Sequence, residues 1–195
     1  MNFKLLVVLS LFITSATFAS ELEKMAEEDQ LARSGDYEKI DWLAVAKDDQ
    51  IRRNRVKEIL SDNRAFTSKD YYSAALIMQH GKTPEDYLAA FQYARKAKDI
   101  DPKDEGAAWL SCAAEDRYLL KVNKKQVWGT QLESKLNKAG TYEILYLIDF
   151  DETQKSDAER EGCFLPSLKE MKRRLNAMSK MKNINMQFEH WMSGT

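Results

Sequence analysis

Residues 67–131 read TSKDYYSAALIMQHGKTPEDYLAAFQYARKAKDIDPKDEGAAWLSCAAEDRYLLKVNKKQVWGTQ, and three helices can be taken from this stretch together with their ends. Thr67 with Asp70 three residues on is a capping-box start, in which a hydroxyl and a carboxylate each satisfy a backbone group that the helix leaves orphaned. Tyr71, Ala74, Ala75 and Met78 then recur at the spacing of one helical face. Gly81, directly after His80, predicts a helix that ends in a left-handed residue. Thr83-Pro84-Glu85-Asp86 predicts a second start: a hydroxyl cap, a proline where no amide hydrogen is needed, and two acids at the positive end of the dipole. That helix turns Phe91 and Ala94 inward, and Pro102 forbids its continuation past Ile100. A third helix is expected over residues 104–122, with Trp109, Cys112, Ala113 and Leu120 on one side.

The third helix carries a charge where an apolar residue would be cheaper. Asp116 lies seven residues after Trp109, four after Cys112 and three after Ala113, which sets a carboxylate on the apolar stripe. Arg117 beside it follows Leu110, Ala113 and Ala114 at the same kind of spacing. A buried charge costs several kcal/mol unless it is paired and hydrogen-bonded, so both groups should have partners. The candidates at helix ends and in the following loop are Gln79, His80, Gln126, Thr130 and Gln131. A structural ion pair that locks helix packing is the plainer reading; a functional site is the sharper one.

Outward from this stretch, residues 1–19 read as a secretory leader. Lys4 precedes an apolar run over residues 5–13, and Thr17-Phe18-Ala19 offers small residues for cleavage before Ser20. The run is short for a membrane span, so no integral membrane segment is expected after cleavage; an uncleaved N-terminal anchor is the alternative reading of the same run. Cleavage leaves 195 − 19 = 176 residues, enough for one domain over residues 20–182 with a tail over 183–195. It also removes Lys4, so the charge becomes 29 − 31 = −2. Neither that balance nor export suggests a nucleic-acid partner. Seven glycines and three prolines suit a mainly α fold.

Two more helices are expected upstream, over residues 21–33 and 41–60. Each contains Asp-Gln-x-x-Arg, pairing Asp29 with Arg33 and Asp49 with Arg53. Acid four residues before base is worth about 0.3–0.5 kcal/mol on an exposed helix and reads here as a solvated face. After Gln131, Tyr142, Ile144, Tyr146, Ile148 and Phe150 alternate, and Asn137-Lys138-Ala139-Gly140 predicts a turn. A small β-hairpin near residues 130–148 follows from these two signals. Residues 156–161 predict a turn or two of helix stopped at Gly162, and Ser167-Leu168-Lys169-Glu170 is another capping box. The helix it starts, over residues 168–182, is amphipathic through Leu168, Met171, Leu175 and Met178. Its basic outer face suits weak contact with an anionic envelope surface, although such faces are more often simply solvated.

No metal or cofactor signature is present. His80 and His190 are the two histidines, far apart in sequence, and no His-x-x-x-His, Cys-x-x-Cys, phosphate-binding glycine loop or Gly-x-Ser-x-Gly elbow occurs. Cys112 and Cys163 are free to pair in an oxidising compartment, but Cys112 on an apolar face equally suits a buried thiol.

Gln79-His80-Gly81, Asp116-Arg117, Gln126 with Gly129-Thr130-Gln131, and Arg160-x-Gly162 with Leu165-Pro166-x-Leu168 resemble, in this order, the signature of a family of uncharacterised, mainly bacterial proteins known as a domain of unknown function. The resemblance extends upstream to Asp49, Arg53 and Val56 and departs from the family at Cys163-Phe164. It implies a clustering of these residues, Arg160 included among the binding candidates, and no agreed activity. A weaker resemblance, to one tetratricopeptide hairpin, rests on Ala90, Ala94, Ala97 and Pro102; Trp109 and Cys112 fall out of register for a second repeat.

Two functions of different classes fit. In one, His80 or Asp116 is a catalytic acid or base and Gln79, Arg117, Gln126, Thr130, Gln131 and Arg160 bind, giving either a ligand-binding polar pocket for a small molecule or peptide or a small secreted hydrolase. In the other the chain is a non-catalytic helical interaction or scaffold module of the cell envelope.

Overall fold

A computed structural model describes residues 20–62, 64–136 and 143–178. The leader expected over residues 1–19, the turn expected at 137–140, the last residues expected in the basic helix and the tail expected over 183–195 lie outside the described residues. The chain is mainly α, with a two-stranded antiparallel sheet.

Each helix begins where a short polar side chain meets the backbone donors that the first turn leaves unpaired. Helix α1 (Glu21–Leu31) starts with a capping box between Ser20 and Glu23. Asp41 caps α2 (Trp42–Leu60), accepting from the amides of Leu43 and Ala44. The expected box of Thr67 and Asp70 opens α3 (Ser68–Met78), with both reciprocal bonds made. Thr83 caps α4 (Pro84–Ile100) with Pro84 in its first turn, and Asp104 caps α5 (Glu105–Lys121).

Helix α4 packs between α3 and α5, while α1 lies on α3. Ala74, Ala75, Ala90, Ala94, Ala97, Ala107, Ala108, Ala113 and Ala114 are fully buried at these contacts. Small side chains at the crossings let helix axes approach closely, since interaxial distance follows side-chain size. Leu22, Val56, Ile59, Ile77 and Met78 fill the core that α1, α2 and α3 share.

Gly81 corrects one expectation. It is absent from the positive-φ residues, so it does not end α3 in a left-handed conformation. Its purpose is room: a Cβ there would stand 2.2 Å from the Cβ of Asp86. The missing side chain lets the α3–α4 turn close upon Asp86, which is buried.

Beyond α5 the chain forms β1 (Leu132–Leu136) and β2 (Glu143–Leu147), paired with Leu132 opposite Leu147. Next come α6 (Asp157–Glu161), opened by a capping box of Ser156 and Glu159, and α7 (Leu168–Met178), whose Glu170 amide donates to Ser167. Cys112 of α5 is bonded to Cys163 just after α6, which answers the question left open above. No helix among the described residues is long and apolar enough to cross a membrane.

Candidate functional site

The two Asp-Gln-x-x-Arg segments are not solvated faces. Asp29 is fully buried, and Asp49, Arg52 and Arg53 are buried with it. Arg33 donates to Asp29 at 3.0 Å and to Asp49 at 2.6 Å, which crosses α1 to α2. Asp49 takes its second donor from Arg52 rather than from Arg53, at 2.9 Å. Arg53 instead reaches the α3–α4 turn, donating to the carbonyl of His80 at 3.0 Å, with its Nε 3.6 Å from Asp86. Lys57 closes on Asp86 at 2.9 Å. Packing one helix on another brings each charge to the interface at which its sequence-local partner was expected to face water.

His80 meets this network from the end of α3. Its Nε2 lies 3.4 Å from Asp29, buried and without the alignment of a hydrogen bond. Its Nδ1 makes no bond to the described residues and is not among the buried unpartnered atoms, so that edge of the ring meets solvent. Burial, then the positive charges of Arg33 and Arg117, pushes the imidazole down to about 3. Burial, opposed by Arg33 and assisted by Asp49, pushes Asp29 up to about 6. The imidazole is therefore neutral at neutral pH.

Arg117 joins this network to the loop after α5. Its Nη1 donates to the side-chain oxygen of Gln79, and its Nε to that of Gln131 at 3.1 Å. Gln131 passes the connection on through Thr130, whose hydroxyl donates to Asp116 at 2.8 Å. The interior polar nest expected from the sequence is thus drawn out into a chain from Asp29 and His80 through Gln79, Arg117, Gln131 and Thr130 to Asp116.

Asp116 sits at the far end, and its company corrects the expectation that it meets His80 or pairs with Arg117. The carboxylate, fully buried, accepts from the amides of Val127 at 2.8 Å, Trp128 at 2.9 Å and Thr130 at 3.0 Å, besides the Thr130 hydroxyl. It anchors the loop that leads into β1, with burial raising the carboxyl against the pull of these donors. Gly129 in that loop has φ +73, and a Cβ would press on Met171 and Phe150 at 3.2 Å.

Gln126 and Arg160 also do structural work in this half of the molecule. Gln126, fully buried, donates to the carbonyls of Gln131 and Ile148 and accepts from the Gln131 amide. Arg160 donates to the carbonyls of Trp128 and Pro166 and approaches the sulfur of Met171 at 3.2 Å. Both hold backbone together and present nothing to a ligand. The residues missed by sequence reading are Asp29, Arg33 and Arg52, while Asp49 and Arg53 entered only through the family resemblance. The signal for them was the same four-residue pattern in two successive helices.

Asp29, Asp49 and Asp86 face Arg33, Arg52 and Arg53, with the exposed Lys57 also on Asp86. Arg117 is left without a carboxylate of its own, since both of its hydrogen-bond acceptors are neutral amides. Its Nη2 and the Nε2 of Gln79 make no bond among the described residues and are not buried unpartnered atoms, so each keeps some contact with solvent. A cavity of about 450 Å³ beside Cys112, Trp128 and Lys155 and a cleft of about 670 Å³ between α1 and α3 lie elsewhere. Among the described residues no group of acids, histidines and cysteines is arranged to hold a metal ion.

No family model matches the chain, and no curated protein or solved structure matches it either.

Proposed function

We propose that this chain is an exported ligand-binding protein whose site is the edge formed by Gln79, His80, Arg117 and Gln131, and that its ligand is a small molecule or peptide bearing an oxyanion. The observation that carries this reading is the guanidinium of Arg117, largely withdrawn from water and supplied with amide oxygens alone. Burial pulls its pKa below the ordinary value, the mark of a cation without its counter-charge. A carboxylate or phosphate at the outward Nη2, with the Gln79 amide as second donor, would add charge-assisted hydrogen bonds and offset the cost of burying the cation.

Export rests on the leader sequence and agrees with the disulfide, a bond that persists in oxidising compartments. The four ordered motifs support membership of the uncharacterised bacterial family that they resemble. A hydrolytic role fits less well. A general base works best with a pKa near the operating pH, and an imidazole held down to about 3 among guanidinium groups is a poor proton acceptor. A scaffold role is the second reading, favoured by the cleft over Ala26, Leu31, Tyr72 and Leu76.

The test is a thermal-shift screen of carboxylates and phosphates against the wild-type chain and Arg117→Gln. Anions that bind here raise the wild-type Tm and leave the variant unmoved. Equal shifts in both proteins, or none in either, would sink the proposal.

A further inference from the structure

The cleft of about 670 Å³ between α1 and α3 is a second surface, independent of the anion edge. We infer that it is occupied by the chain's own residues 184–192, with Phe188, Trp191 and Met192 seated on its apolar floor. Ala26 and Leu31 of α1 and Tyr72 and Leu76 of α3 make that floor. Leu31 is 73% exposed, a large apolar side chain that the described residues leave in water. The rim is acidic on two sides, through Glu23 and Glu27 of α1 and Asp104 at the start of α5, against Lys69 alone. Glu23 and Asp104 each use one oxygen in a helix cap. None of the three acids forms an ion pair among the described residues.

Residues 179–195 follow α7 and read SKMKNINMQFEHWMSGT. Phe188, Trp191 and Met192 recur at i, i+3 and i+4, the spacing by which one face of a helical turn enters an apolar groove. Lys180 and Lys182 precede them, against Glu189 alone, so the segment complements the rim in sign. From Met178 to Phe188 is 188 − 178 = 10 residues, a reach of at most about 33–36 Å. A compact domain of this size has a radius of gyration of about 15 Å, so that reach is about twice the radius. A buried indole N–H needs an acceptor. Gln30 gives its Nε2 to Asp29 and keeps its Oε1 unbonded at the cleft, and the hydroxyls of Tyr72 and Ser73 are likewise unbonded among the described residues. The smaller cavity beside Cys112 offers no such seat, because Lys155 already lies over the Trp128 ring at 4.4 Å. Two aromatic side chains each remove roughly 150–250 Å² from water on burial, which favours the docked segment over a solvated one. The cleft that favours a scaffold role is then covered by the chain itself, and a partner that uses it must displace this segment.

The test uses the full chain, with hydrogen exchange and zero-length carboxyl–amine cross-linking both read by mass spectrometry. Amides over residues 184–192 should exchange at least about tenfold more slowly in the wild type than in Phe188→Ser with Trp191→Ser. Lys180 or Lys182 should join to Glu23, Glu27 or Asp104 in the wild type and cease to do so in that variant. Glu27→Lys with Leu31→Gln changes the cleft instead of the segment, at two exposed positions of α1 that the core does not use. It should release residues 184–192 to the same degree while the amides of α3 stay as protected as before. Chains of light and heavy nitrogen are mixed before cross-linking, and the joins are expected to stay within one isotope. Joins between light and heavy chains would overturn docking in cis and assign the cleft to a second copy. Fast exchange over 184–192 in the wild type, equal exchange in the wild type and both variants, or joins confined to other acids would overturn the inference.

Discussion

Asp29 and His80 illustrate how a buried pair can hide its own titration. The carboxyl is held above its unfolded value, so its contribution to stability is complete below about 3.8 and is lost as pH rises through about 6. The imidazole is held below its unfolded value of 6.5, so its contribution is complete above 6.5 and is lost as pH falls toward about 3. Between these limits the two slopes oppose one another. The folded pair keeps a proton on Asp29 where the unfolded chain keeps one on His80, and neither state takes up more than the other. Asp29→Asn removes one half of this balance. Urea denaturation from pH 6.5 to 4.5 should then show stability falling by up to about 1.4 kcal/mol per pH unit, against a wild type flatter over that range. A variant as flat as the wild type would mean that the imidazole is not held neutral. Of this pair the sequence revealed His80 through its place before Gly81, but Asp29 passed for half of a local ion pair. Its partner in space stands fifty-one residues away, and no periodicity reports that distance.

At the scale of elements, what could be read was what is local. Thr67 with Asp70, Thr83 with Pro84 and the break at Pro102 each act within a turn, so the starts of α3 and α4 and the end of α4 followed from the letters. The antiparallel pairing of β1 and β2 was legible for the same reason, from the alternating residues of the second strand. Partner choice was not local. Asp116 was placed on the apolar stripe of α5 correctly, yet its partners are the amides of residues 127–130, and backbone donors leave no signature in a sequence. The consequence is that Asp116 should act as a fastener of the loop. Asp116→Asn retains the shape but replaces one acceptor oxygen with a donor group facing other donors. A loss of about 2–4 kcal/mol is expected from unsatisfied buried groups. Hydrogen exchange should accelerate at Val127, Trp128 and Thr130 ahead of the amides of α3 and α4. Uniform acceleration across all helices would show instead that the carboxylate supports the fold at large.

For the whole molecule, two kinds of bond tie the segment after α5 to the helical bundle and a third holds that segment together, and they differ in what they ask of the surroundings. Asp116 gathers the loop, Arg160 joins α6 to the Trp128 and Pro166 carbonyls, and the Cys112–Cys163 bond closes across fifty-one residues that include the hairpin. The first two act in the folded state, whereas the disulfide also narrows the unfolded ensemble. For a loop of this length the chain-entropy account gives about 4 kcal/mol, with measured values for such bonds commonly 2–4. Helices α1 to α4 contain neither cysteine, and their core of Leu22, Val56, Ile77, Met78 and Ala90 does not depend on the bond. Cys112→Ser with Cys163→Ser should therefore lose about 2–4 kcal/mol in chemical denaturation while keeping the wild-type far-ultraviolet circular dichroism. Arg117 is held by Gln79 and Gln131 and not through either cysteine, so anion-induced thermal shifts should survive in the double variant and vanish in Arg117→Gln. Loss of the shift without the disulfide would mean that the edge around Gln131 is positioned through Cys163, and that binding and the oxidised state of the chain are coupled.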